Sequence, residues 1–208
     1  MYILSTMSVT KKQQQALDEF RKAGGVLRTS AALDAGIHPR TLYQLRDQGG
    51  LERVSRGVYR LAELPPLGDP DLVRVSTRVS RAVVCLISAL HFHGMSSQIP
   101  HVVSIALPQG VKTPELDRPP IRVFRFSDES YRAGVEEHPV DEVQVKVYGP
   151  AKTVADCFKF RHKIGLEVAI EGLRAGLEED RFTPAELMEF AKTCRVQRII
   201  RPYIAAML

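Results

Sequence analysis

Residues 26–62 read VLRTSAALDAGIHPRTLYQLRDQGGLERVSRGVYRLA, and this stretch decides the fold of the first third of the chain. A short apolar lead-in precedes a small helix that Thr29 or Ser30 would cap, with Ala31, Ala32 and Leu33 facing inward. Gly36 breaks the chain. Pro39 suits the first turn of a second helix, where its missing N–H costs nothing. Gly49-Gly50 stops that helix. Leu51–Ser55 and Gly57–Leu61 then read as two strands of an Arg-rich hairpin turning near Arg56-Gly57. Helix, turn, helix and a basic two-stranded wing is the order of a winged helix-turn-helix, which places one short helix in the DNA major groove. Upstream, Thr10 can cap a helix running to about Ala23, with Ala16, Leu17 and Phe20 as its apolar stripe and Gly24-Gly25 as its end.

The helix after Pro39 has a readable face. At about 100° per residue, Leu42 and Leu45 lie within about 60° of each other and define the buried side. Arg40, Tyr43, Gln44 and Asp47 fall opposite, with Thr41 on a flank. An Arg can donate two bonds to a guanine edge and a Gln can pair with adenine, so Arg40 and Gln44 are the candidate base readers. His38, Thr41 and Tyr43 suit phosphate contacts. In the wing, Arg53, Arg56 and Arg60 bracket the hairpin, and an Arg at a wing tip contacts phosphate or enters the minor groove. Arg28 joins the expected DNA-contacting set. Asp47 reads as a member of a surface ion pair.

Charge points the same way. The chain has 208 residues and a net charge of +5. Residues 1–64 hold ten Lys/Arg against six Asp/Glu, whereas residues 65–208 hold nineteen against eighteen. A positive field confined to the N-terminal third is what neutralising phosphates requires. The composition, 44% hydrophobic and 25% charged, is that of a globular protein. No run approaches the roughly 20 apolar residues of a membrane helix. The N-terminus does not read as a signal peptide, and Met7 offers an alternative start. Three widely spaced cysteines, Cys85, Cys157 and Cys194, argue against a disulfide framework and for a reducing cytoplasm, each as a small buried hydrophobe.

The expected fold class is α+β: an N-terminal winged helix-turn-helix over residues 1–64, a linker over 65–70, and a domain over 71–208 with a small sheet flanked by helices. Three prolines and a glycine between residues 64 and 70 resist both helix and strand. Beyond them the pattern predicts helices at Asp71–Val79 and Ser80–His93, the latter closed by Gly94. Val102–Leu107 and Ile121–Phe126 read as strands. Val143–Tyr148 alternates, with Val143, Val145 and Val147 on one side and Gln144, Lys146 and Tyr148 on the other. Helices follow at Ala151–Phe160, Gly165–Leu177 and Pro184–Lys192, the last opened by a Thr183/Glu186 capping box, and a terminal helix starts near Arg195.

The residues after 70 present no catalytic constellation. His91 and His93 would point about 200° apart on a helix, so they cannot share an ion there, and no metal or cofactor is expected. One of them reads as packed and the other as exposed. Gly149-Pro150-Ala151-Lys152-Thr153 lacks the spacing of a phosphate loop. Lys152 and Asp156, four apart, make a helical ion pair or a helix start that anchors a partner surface. The acidic pairs Asp128-Glu129, Glu136-Glu137 and Asp141-Glu142 lie in loop-like sequence. Lys192, Arg195, Arg198 and Arg201 recur every three residues, which on one helix gives a slanted basic stripe and a second electrostatic contact.

The chain resembles the AbiEi-type antitoxins of type IV toxin–antitoxin systems. The resemblance rests on Gly36-Ile37-His38-Pro39-Arg40-Thr41-Leu42-Tyr43, Gly50-Leu51-Glu52-Arg53-Val54 and Arg56-Gly57-Val58-Tyr59 in the first domain. In the second it rests on Ser88-Ala89-Leu90-His91-Phe92-His93-Gly94 and Ala151-Lys152-Thr153-Val154-Ala155-Asp156. It implies a DNA-binding repressor of its own operon acting at promoter inverted repeats. It also implies a non-enzymatic antitoxin domain, with Lys152, Thr153 and Asp156 as its candidate residues. The functional partner would be a nucleotidyltransferase-like toxin, with no stable complex required. The competing reading of the residues is a winged-helix regulator whose second domain senses a metabolite.

Overall fold

The computed structural model describes residues 10–207, apart from residues 66, 117 and 142. The choice between Met1 and Met7 as start lies outside the described residues. The chain begins with α1 (Lys11–Lys22), closed at its N-terminus by a capping box in which Thr10 and Gln13 satisfy each other's backbone N–H groups. Then come β1 (Val26–Arg28), α2 (Thr29–Asp34), α3 (Pro39–Asp47), β2 (Leu51–Ser55) and β3 (Val58–Leu61). The three strands form an antiparallel sheet in the order β1-β3-β2. Phe20, Ile37, Leu42, Leu45, Leu51, Tyr59 and Leu61 close a core between the helices and this sheet.

Two details differ from expectation. Neither Thr29 nor Ser30 caps α2: Arg28 occupies the cap position without a side-chain bond. Thr29 instead donates its hydroxyl to the Gly57 carbonyl at 3.3 Å, tying α2 to the wing turn. Ala32 is buried, but Ala31 is exposed and Leu33 is 42% exposed, because a six-residue helix makes fewer than two turns and presents little inward surface.

The larger unit is a five-stranded mixed sheet in the order β6-β5-β4-β8-β7. Its strands are β4 (Val83–Val84), β5 (Val103–Pro108), β6 (Ile121–Phe126), β7 (Val135–Val140) and β8 (Val143–Tyr148). The helices are α4 (Pro70–Arg78), α5 (Leu86–Phe92), α6 (Asp128–Arg132), α7 (Pro150–Lys159), α8 (Arg161–Ile164), α9 (Leu166–Glu178), α10 (Pro184–Thr193) and α11 (Gln197–Met207). Leu72 and Val75 of α4 cover one face together with Ile105, Leu107, Val145 and Val147. Leu90, Phe126, Tyr148, Val154, Phe158, Leu173 and Ile200 fill the core on the other face. The valine side of β8 enters the first of these cores, and from its other side Tyr148, at the strand's end, enters the second.

The single helix expected over Ser80–His93 is a strand followed by a shorter helix. Val83 and Val84 extend to pair with Ala106 and Ile105 of β5, and Val84 also pairs with Val147 of β8. Only after Cys85 does α5 begin. Strand β7 was not expected, because Glu136-Glu137 and Asp141 read as loop-like sequence; its Pro139 is tolerated because β7 lies at the sheet edge. The prolyl stretch before α4 is held in place. Gly68 and Asp69 donate backbone N–H groups to one Asp141 carboxylate oxygen at 2.8 and 3.2 Å, and Asp69 in turn accepts from Leu72 N–H at the head of α4. No helix among the described residues is long and apolar enough to cross a membrane.

Candidate nucleic-acid interface

Leu42 and Leu45 anchor α3 in the core, so the opposite face of the helix is turned outward. Arg40, Tyr43 and Gln44 are exposed there, and Thr41 is half-buried on the flank. His38 has a defined job in this helix. Its Nδ1 accepts the Arg40 backbone N–H at 3.1 Å, closing one of the free donors that begin every helix. Tyr43 is 45% exposed and lies under the Arg46 guanidinium, 5.3 Å from the ring centre. Arg46 pairs with Asp47 at 2.6 Å, which agrees with the reading of Asp47 as half of a surface ion pair.

Gly57 turns the wing with φ at +74°, a left-handed conformation that glycine adopts without strain. Arg56 sits exposed at the tip beside it. Arg53 is exposed on β2 and donates from Nε to the Ser55 carbonyl at 3.3 Å, across a register shift in the strand pair. Arg28, at the end of β1 opposite Val58, is also exposed.

Arg60 does not belong with these residues. It is 3% exposed, on the central strand β3, and donates from Nη2 to the Pro65 carbonyl at 2.5 Å, with Glu52 3.8 Å from its Nε. Spacing along a hairpin marks an arginine as basic, but the strand's place in the sheet decides whether it meets solvent.

The candidates in the larger unit change more. Lys152, Thr153 and Asp156 are all fully buried, so they form no partner surface. Lys152 pairs with Asp156, and its ammonium lies 4.1 Å from the Tyr148 ring centre and 4.9 Å from that of Phe126. Thr153 donates to the Tyr148 carbonyl at 2.9 Å, and Cys194 donates its thiol to Asp156 at 3.1 Å. Burial raises the Asp156 pKa despite the opposing pull of Lys152. Burial likewise pushes Cys194 up to about 12 and raises Cys85 and Cys157, so all three cysteines stay protonated, buried thiols. The motif locks α7 to β8 and to the chain after α10.

Lys192, Arg195, Arg198 and Arg201 are exposed, but they do not share one helix. Lys192 belongs to α10, Arg195 has φ at +60° in the connection, and Arg198 and Arg201 belong to α11. The chain turns at Arg195, so the regular stripe is broken. Of the two histidines near Gly94, His93 is the packed one, donating from Nε2 to the Tyr148 carbonyl at 2.8 Å, and His91 is exposed. Among the described residues no cluster of His, Cys, Asp and Glu is arranged to hold a metal ion.

The sequence reading passed over two arginines that the fold brings to the wing. Arg74 donates from Nε to the Val54 carbonyl at 3.1 Å, and Arg78 from Nη1 to the Arg56 carbonyl at 2.9 Å. Their four-residue spacing on the first helix after the prolyl stretch was the available signal.

Residues 14–62, which run from within α1 to the end of β3, match a family of proteins described as transcriptional regulators, AbiEi antitoxin. The Lys152–Asp156 motif lies outside that match. No curated protein matches the chain. Among solved structures, the crystal structure of RV2827C protein from Mycobacterium tuberculosis aligns with a TM-score of 0.51 and 14% identity, over 88% of this chain and 82% of that one. At that identity the likeness speaks for a shared mixed α+β fold. The match thus covers the winged segment over residues 14–62, which is similar to that of the AbiEi antitoxin transcriptional regulators.

Proposed function

We propose that the chain represses its own operon by binding inverted repeats in its promoter, and that it counters a nucleotidyltransferase-like toxin without acting as an enzyme. One observation carries the DNA half of this reading. Within the matched segment, α3 exposes Arg40, Tyr43 and Gln44 on a face held rigid by Leu42 and Leu45, with Arg53 and Arg56 on the wing beside it. In this reading Arg40 and Gln44 read base edges. His38, Thr41, Tyr43, Arg28 and the wing arginines hold phosphates and set the register. The antitoxin half rests on the family resemblance, and the toxin is a functional partner rather than a required subunit.

Two measurements test it. The purified chain should retard duplex DNA from its own upstream region, and raising salt should weaken that complex steeply. Co-expression with a nucleotidyltransferase-like toxin should restore growth. Failure to bind the upstream duplex removes the repressor reading, and failure to rescue removes the antitoxin reading.

A further inference from the structure

We infer that a groove between the wing and α4 is a second DNA-contacting site, which takes the phosphate backbone of the duplex just beyond the wing. This rests on the DNA reading above and extends it outside the winged module. The groove has a volume of about 620 Å³. Arg53 and Arg56 of the wing line one wall, Arg74 and Arg78 of α4 another, and Arg118 and Glu115 of the β5–β6 connection complete it. Five guanidinium groups thus face a single described carboxylate.

Several of these cations are available. Arg53, Arg56, Arg78 and Arg118 form no ion pair among the described residues, whereas Arg74 lies 3.3 Å from Asp71 on its own helix. Arg78 and Arg74 spend one donor group each on wing carbonyls, which leaves donors on both guanidinium forks. A planar guanidinium binds phosphate oxygens in pairs, so clustered arginines favour phosphate over a general anion.

The placement favours duplex DNA as the occupant. Arg53 and Arg56 belong both to the groove and to the wing, so a duplex seated on α3 and the wing continues directly over Arg78 and Arg118. Duplex DNA offers about one charge per 1.7 Å of axis, enough to meet cations spread along such a path. The two walls are also fixed relative to each other. Val54 and Val58 of the wing pack on Val73 of α4, and the two Arg-to-carbonyl bonds flank that contact. The site needs little ordering on binding.

The test is fluorescence anisotropy of the full chain on two labelled duplexes of equal length, its own upstream region and an unrelated sequence, over a salt series. Arg118 is exposed and makes no hydrogen bond among the described residues, so it can be changed without loss of fold. Arg118→Ala should weaken both duplexes by a similar factor and make the salt slope shallower by about 1. The wild-type advantage should then shrink by about threefold between about 50 and 200 mM salt, at about −0.9 in slope per phosphate. Arg118→Lys should keep most of the slope. Unchanged affinity and slope for Arg118→Ala, with wild type binding normally, overturns the groove and leaves the regulator reading intact. Tighter binding of a single-stranded RNA than of either duplex also overturns it. A wild-type chain that binds neither duplex removes both readings.

Discussion

Cys194 and Asp156 lie 38 positions apart in the chain, yet the thiol of one donates to the carboxylate of the other at 3.1 Å in the interior. Lys152 completes the cluster from the same helix as Asp156. A buried charge is tolerated only while its partners are present. Lys152→Met leaves Asp156 uncompensated and should cost about 3–5 kcal/mol. The double variant Lys152→Met/Asp156→Leu removes both charges and should be clearly more stable than the single one. Urea unfolding of wild type, both single variants and the double variant measures this; a double variant as unstable as the sum of its parts would contradict it.

Leu42 and Tyr43 are neighbours with opposite duties. Leu42→Ala empties a fully buried site and should cost about 2–5 kcal/mol. Tyr43→Ala, on the exposed face, should change stability by about 0.5 kcal/mol or less while weakening DNA binding. Denaturant midpoints alongside binding isotherms separate the two; equal destabilisation by both would mean that α3 packs differently.

Arg40→Ala and Gln44→Ala should each lose about 1–3 kcal/mol of discrimination at one base-pair position and leave binding to other sequences nearly unchanged. Arg56→Ala should instead lower affinity for every sequence alike. Competition with duplexes substituted one base pair at a time reads the difference, and a uniform loss for Arg40→Ala would reassign that residue to phosphate.

His93 gives a pH dependence with a definite sign. Burial holds its pKa below the ordinary 6.5, outweighing the bond to the Tyr148 carbonyl. The unfolded chain therefore binds more protons than the folded one between those two values. Its contribution is full above about 6.5 and is lost as pH falls from there through the folded value. Thermal midpoints of wild type should drop in that window, and His93→Gln should show a flatter profile; identical slopes would show that another group is responsible.

The helix-turn-helix was legible because its signals are local. Pro39 opens α3, Gly49 and Gly50 end it, and Leu42 and Leu45 lie within reach of one another on the helix surface. The Thr183/Glu186 capping box and the alternation of Val143–Tyr148 were legible for the same reason. What escaped depends on partners distant in sequence. Val83-Val84 is a strand only because β5 and β8 lie on either side, and nothing in an apolar run distinguishes that from a helix. Arg60 and Lys152 carry charge yet lie in the interior, where the Pro65 carbonyl meets the first and the Phe126 and Tyr148 rings, from other elements, face the second. The spacing of Arg74 and Arg78 marks one helix face, but only tertiary packing sets that face against the wing.

The shortest strand of the sheet sets an order of events for a chain made from its N-terminus. Val84 of β4 needs Val147 of β8, and the core beneath the wing also borrows Val140 and Val143 from the last hairpin of the sheet. None of these exists when residue 62 has left the ribosome, whereas α1, α2, α3 and the small sheet are already complete. Contacts between remote segments form late. On a growing chain the recognition helix is finished early, Val73 of α4 reaches the wing next, and Val140 and Val143 of the β7–β8 hairpin complete that small core last. A product that stops before residue 70 would therefore carry a formed α3 beside a wing that lacks Val73, Val140 and Val143.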